Sequence, residues 1–121
     1  MGMTIVWIGQ LLLAAVFGLL GVVHITQFDR MAASARTAWV TAVGRRNMAV
    51  IGVLEILGAT GLLLPAITGV APWLMPLAGA CLGALMLAAV VFHRRRGEPI
   101  VGNVALAVIA AAVAIGRVAV S

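Results

Sequence analysis

Residues 47–64 read NMAVIGVLEILGATGLLL, an almost wholly apolar run of eighteen positions interrupted by one ionisable group, Glu55. A run of that length with so little charge reads as a membrane-crossing helix, because about 20 apolar residues span the hydrocarbon. Three further runs of the same character flank it, over about 4–27, about 72–93 and about 100–120. The whole chain agrees: 64% of its 121 residues are hydrophobic and 9% are charged. Soluble domains are about half apolar and a quarter charged. The expected fold class is therefore all-α, an integral membrane four-helix bundle forming a single transmembrane domain over residues 1–121. Four spans leave no room for a water-facing catalytic domain, so any site is expected between the helices or at their ends.

The connections differ from one another. Residues 28–46, FDRMAASARTAWVTAVGRR, are too polar to insert and predict a short interfacial segment between helices 1 and 2, anchored by Trp39. Pro65 and the Pro72/Trp73/Pro76 group predict a tight turn between the second and third spans, and Gly97 with Pro99 another before the fourth. The first connection carries Arg30, Arg36, Arg45 and Arg46 against Asp29, and the third carries Arg94, Arg95 and Arg96 against Glu98. The second carries no charge. The arginine bias places connections one and three in the cytoplasm and both termini outside, with Trp7 and Trp73 at the outer interface. Arg117, near the outer end, is expected to snorkel to headgroups.

The net charge of +5 comes from eight arginines against three acids, confined mostly to two connections. That distribution reports topology and excludes nucleic acid as a partner. Cys81 is the only cysteine, which excludes an internal disulfide and a C-x-x-C redox pair. The N-terminal run lacks a basic start and is too long for a signal-peptide core. Gly79 and Gly83 form a small-x-x-x-small pair, and Gly52, Gly58 and Gly61 a second thin face. These predict close packing inside the bundle, with a seam between copies in a homo-oligomer as the alternative.

An ionisable group near a helix centre costs about 3 kcal/mol or more in a membrane, so Glu55 calls for an explanation. It lies about 12 Å along its helix from Asn47. Gly52, Gly58 and Gly61 share its side, which turns it towards neighbouring helices. A carboxyl there can donate a hydrogen bond, move a proton or hold the polar head of a lipophilic ligand. The plainer alternative is structural: a protonated acid bridging two helices.

Helical spacing groups the remaining polar residues. Gln10, Ala14, Phe17, Gly21 and His24 share one face of the first span. Gly79, Gly83, Met86, Val90 and His93 form a stripe on the third, and Asn103, Ala107, Ala110, Ala114 and Arg117 on the fourth. His24, His93 and Asn103 then lie near the cytoplasmic end with Glu55 deeper, predicting a polar cavity open to that side. His24 is the expected partner of Glu55, as proton relay or hydrogen-bonding neighbour. The candidate catalytic residues are Glu55 and His24; the candidate ligand-binding residues are Gln10, Phe17, Met86, His93 and Asn103. The competing reading makes both histidines headgroup-solvated interfacial residues. No spacing supports haem or metal ligation by His24, His93 and Glu55, so no metal and no bound cofactor is expected. Nucleophile–base pairs, phosphate loops and dinucleotide fingerprints have no match either.

The stretch from Arg46, RNMAVIGVLEILGATGLLLPAITGVAPWLMPLAGACLGALML, followed by AVVFHRRRGE, resembles the DoxX-like family of small bacterial membrane proteins. The resemblance rests on Arg46, on Gly52 with Glu55, on Gly61, Leu62 and Pro65, and on Pro76, Leu77 and Ala78. FGLLGVVH in the first span is compatible with it. It implies a four-helix membrane bundle in the bacterial inner membrane, with Glu55 at the family's acidic position. It also implies links to quinone-dependent sulfur oxidation or to redox complexes, though the missing cysteine pair argues against dithiol redox chemistry in this chain itself.

Three functions are compatible with these residues. The first is an intramembrane site for a lipophilic small molecule (a quinone, an isoprenoid or a polyketide-like compound) around Glu55, with acid–base chemistry. Whether such a site turns its ligand over is left open. The second is a non-catalytic membrane subunit of a quinone-linked redox complex, docking a soluble cytoplasmic partner through Arg94, Arg95 and Arg96. The third is proton-coupled efflux, ranked last because small multidrug transporters of this size carry their glutamate in the first span.

Overall fold

The computed structural model describes residues 2–119. Four long helices are joined by two short ones: α1 (Gly2–Thr26), α2 (Phe28–Ala33), α3 (Val40–Val43), α4 (Arg45–Thr68), α5 (Leu74–Arg95) and α6 (Val101–Ala119). No strand occurs among the described residues. α1, α4, α5 and α6 are each long and apolar enough to cross a membrane, and only 22–33% of each span is buried against the rest of the protein. The outward faces carry Leu19, Ile67, Val108 and Ile115, all largely exposed. Water would not tolerate that surface, whereas lipid tails match it. The chain is a multi-pass membrane protein.

The long helices form a closed ring in the order α1, α4, α5, α6, each antiparallel to the next in sequence and packed mainly on its two neighbours. The core at the centre is built from Leu13, Phe17, Leu62, Leu82, Ala110 and Val113. Apolar helices gain little from one another in lipid, so contact depends on close backbone approach. Glycine supplies it at the α1–α4 crossing. A Cβ on Gly21 would stand 2.6 Å from the Gly52 carbonyl oxygen, and one on Gly52 would stand 2.6 Å from that of Gly21. Gly79 faces the Ala110 carbonyl and Ala114 across the α5–α6 seam, so this glycine is used inside the bundle.

Two sequence expectations change. Pro65 does not open the turn; it lies buried inside α4, which continues to Thr68. Proline cannot donate to the Gly61 carbonyl, but a membrane helix tolerates the loss where neighbours compensate. The turn begins instead at Gly69, whose φ of 74° lets its N–H close back on the Pro65 carbonyl at 2.9 Å. The interfacial segment holds two short helices, and Trp39 at the start of α3 turns inward, half-buried, rather than out to headgroups.

The turn after α5 is clipped by charge. His93 Nδ1 lies 2.9 Å from Glu98 Oε1, and Arg96 Nε donates to the same oxygen at 3.1 Å. The hydrogen bond from His93, helped by the hydrogen bond and charge of Arg96, holds the Glu98 carboxyl below its ordinary range against burial, whose opposing effect ranks second after the His93 bond. A depressed carboxylate contributes stability above its ordinary range and loses it as pH falls through the lowered value. Acidification through that window is therefore expected to reduce amide-exchange protection at Glu98, whose N–H bonds the His93 carbonyl. Glu98→Gln should reproduce the loss at neutral pH, and unchanged protection in both conditions would show the clip to be inert. The effect is small, because the group is partly exposed and water screens its charge.

Candidate functional site

Side chains on a helix lean towards its N-terminus. Because α1 and α4 are antiparallel, His24 leans from its end into the bundle while Glu55 leans back towards that end. The two meet near the Gly21–Gly52 crossing, with His24 Nδ1 2.5 Å from Glu55 Oε1. Glu55 is 1% exposed and His24 8% exposed, so the contact is dry. At this separation one proton lies between the two atoms, carried by the carboxyl or by the imidazole Nδ1. The second carboxyl oxygen, Oε2, is buried and has no hydrogen-bond partner among the described residues.

Both groups line a cavity of about 390 Å³ between the four spans and α3. Its walls are largely apolar: Leu20 from α1, Met48 and Ile51 from α4, Leu85, Met86 and Phe92 from α5, and Leu106 from α6. His93 from α5 and Asn103 from α6 add polar groups to the same lining. A mostly apolar enclosure with a few convergent polar groups is the form small-molecule sites take. Trp39 lies across one side. Its ring stands 4.7 Å from that of His93, 6.0 Å from Phe92 and 6.3 Å from His24, edge to face in each case. The interfacial segment is thereby tied over the cavity by aromatic contacts.

Of the candidate residues named from the sequence, Glu55, His24, Met86, His93 and Asn103 line this cavity. Phe17 does not; it is fully buried in the core. Gln10 lies at the opposite end of the bundle. It shares a face with His24, but fourteen residues separate them, about 21 Å of helix, and a shared face is not a shared depth. Gln10 Nε2 donates to the Leu62 carbonyl at 2.5 Å and approaches Met75 Sδ at 3.3 Å, while its Oε1 accepts from Arg117 Nε at 2.6 Å. Arg117 therefore does not snorkel: it is 9% exposed, with its guanidinium 4.7 Å over the Trp7 ring. Near the end of α6 its side chain leans back into the bundle, where Gln10 receives it.

Sequence reasoning missed Trp39, Met48 and Phe92 as cavity residues. Trp39 gave no signal, because a tryptophan between arginine-bearing flanks reads as an interfacial anchor. Met48 could have been found by extending the helical face of Glu55 by about two turns, and Phe92 only from the neighbouring face of Leu85 and Ala89.

Three His, Cys, Asp or Glu side chains placed to hold a metal ion are not found together among the described residues. Comparison with curated proteins and with solved structures gives no match. The profile of the DoxX-like family matches residues 8–116, which takes in α4 and α5 whole, most of α1 and α6, the Glu55–His24 pair and Gln10, and stops one residue short of Arg117. This chain is a member of the DoxX-like family.

Proposed function

We propose that the chain holds a lipophilic small molecule in the cavity beside Glu55 and exchanges a proton with its polar head. The observation that carries this reading is the buried Oε2 of Glu55, unpartnered in the wall of a largely apolar cavity. A buried polar atom without a partner costs about 1–3 kcal/mol, a cost that a ligand hydroxyl or carbonyl would remove on binding. Glu55 is the group that gives or takes the proton at Oε2. His24, bonded to Oε1, compensates the change in charge by moving the proton it shares. Met86 and the other apolar walls take the hydrocarbon part, and Asn103 and His93 can hold a second polar group. A quinone, with a polar group at each end of a flat ring, suits that arrangement. The arginine-rich end is the cytoplasmic one in this reading, in the inner membrane of a bacterium.

A second reading is favoured by the exposed side chains of Arg94 and Arg95, which with Arg30 and Arg36 crowd the same end of the bundle. They suit an acidic soluble partner, making this chain the membrane subunit that feeds a ligand to it. Loss of that partner's co-purification on charge removal at Arg94 and Arg95 would support this role.

The test of the cavity is mass spectrometry of lipophilic compounds extracted from purified wild type and Glu55→Gln. A compound present at about one per protein in wild type, and lost or altered in an equally stable variant, is the expected result. Identical extracts would leave Glu55 as a structural bridge between α1 and α4.

A further inference from the structure

The opposite end of the bundle holds a second buried charge that the Glu55 cavity does not use. Arg117 is 9% exposed, and its side chain meets the Gln10 amide oxygen and the face of Trp7. Neither carries a charge. Its Nη2 is buried and has no hydrogen-bond partner among the described residues. The three side-chain carboxylates are engaged elsewhere: Asp29 with Arg45, Glu55 with His24, and Glu98 with His93 and Arg96. A guanidinium withdrawn from water without an anion is strongly disfavoured.

Arg117 lines a cavity of about 570 Å³ whose other walls are Met3, Pro72, Trp73, Met75, Pro76 and Val118. Pro72 and Trp73 are exposed, and the cavity lies at the end of the spans, where a crossing helix meets the headgroups. Gln10 fixes the guanidinium by its Nε and is itself held by the Leu62 carbonyl, so Nη2 is presented on a rigid support. We infer that this cavity binds the phosphate of an acidic phospholipid, with the headgroup on Arg117 and the acyl chains along the apolar walls. Phosphate is the group that an arginine fork recognises best, and basic pockets between membrane helices take acidic headgroups. A free phosphate ion offers the same chemistry from solution, but most of this lining is apolar, which matches the lipid.

The experiment is native mass spectrometry of the full chain in detergent, titrated with phosphatidylglycerol or phosphatidylcholine of identical acyl chains. Wild type is expected to bind the first phosphatidylglycerol about tenfold more tightly than phosphatidylcholine. Arg117→Gln should abolish that preference, whereas Arg46→Gln, which removes an exposed charge at the other end, should keep it. A folded Arg117→Gln protein that retains the preference overturns the proposal. So does displacement of the lipid by millimolar inorganic phosphate, which would assign the cavity to a soluble anion. If Arg117→Gln does not fold, Met3→Trp decides, since it fills the cavity and leaves Gln10 and Arg117 in place. Loss of the preference in that variant supports the lipid site, and its retention refutes it.

Discussion

Replacing His24 by leucine is expected to destabilise the folded bundle by about 3 kcal/mol, because it leaves the Glu55 carboxyl buried with no partner for either oxygen. Replacing both residues together, as His24→Leu with Glu55→Leu, should recover most of that loss. A buried polar pair is worth little more than an apolar pair of similar volume, while half of one is worth much less. Function should divide the other way. The double variant, though stable, is expected to carry no ligand, since both polar groups on the α1–α4 side of the cavity are gone. Thermal unfolding in detergent measures the first effect and extraction of bound compounds the second. If the double variant is as unstable as His24→Leu alone, the pair is not coupled as its 2.5 Å separation requires.

An effect of similar size is expected at the helix crossing. Gly21→Leu must place its Cβ 2.6 Å from the Gly52 carbonyl oxygen and from Ile56 Cγ1. One of these is backbone and cannot swing away, so the helices must separate. The expected loss is about 3 kcal/mol, at the upper end for overpacking, with displacement of the nearby His24–Glu55 contact. Even Gly21→Ala carries the same Cβ and should lose about 1–2 kcal/mol. Gly102 is the control: a Cβ there meets nothing within 4 Å, so Gly102→Ala should be neutral or stabilise α6 by about 0.5–1 kcal/mol. Equal melting temperatures for Gly21→Ala and wild type would show that the crossing is looser than it stands here.

The spans were legible because hydrocarbon thickness imposes a length and a composition, and four runs of the chain meet both. The inward faces were legible because Glu55 shares a side of its helix with Gly52, and His24 with Gly21, and those glycines are what brings the helices together. The nearness of His24 to Glu55 follows from the same reasoning, though what the pair does there rests on the proposal above. Depth was harder to read. Helical periodicity tells which residues look the same way but not which end of the bundle they occupy, so it groups Gln10 with a cavity that Gln10 never reaches. Arg117 was misplaced for a related reason: a charge near a helix end is read as reaching outward, but the lean of its side chain runs inward on α6. Pro65 was read as a breaker because nothing in the sequence says that a buried proline can be tolerated within a packed membrane helix.

Gln10 and His24 both belong to α1, and both reach α4, one at the Leu62 carbonyl and the other at Glu55. Between these two attachments the surfaces in contact are apolar, and the Gly21–Gly52 approach holds them by packing alone. A helix displaced along its neighbour by one turn, about 5.4 Å, would lose both attachments at once. The pair of helices therefore behaves like a key with two teeth: apolar contact lets the helices lie together, and the two widely spaced polar contacts admit only one alignment.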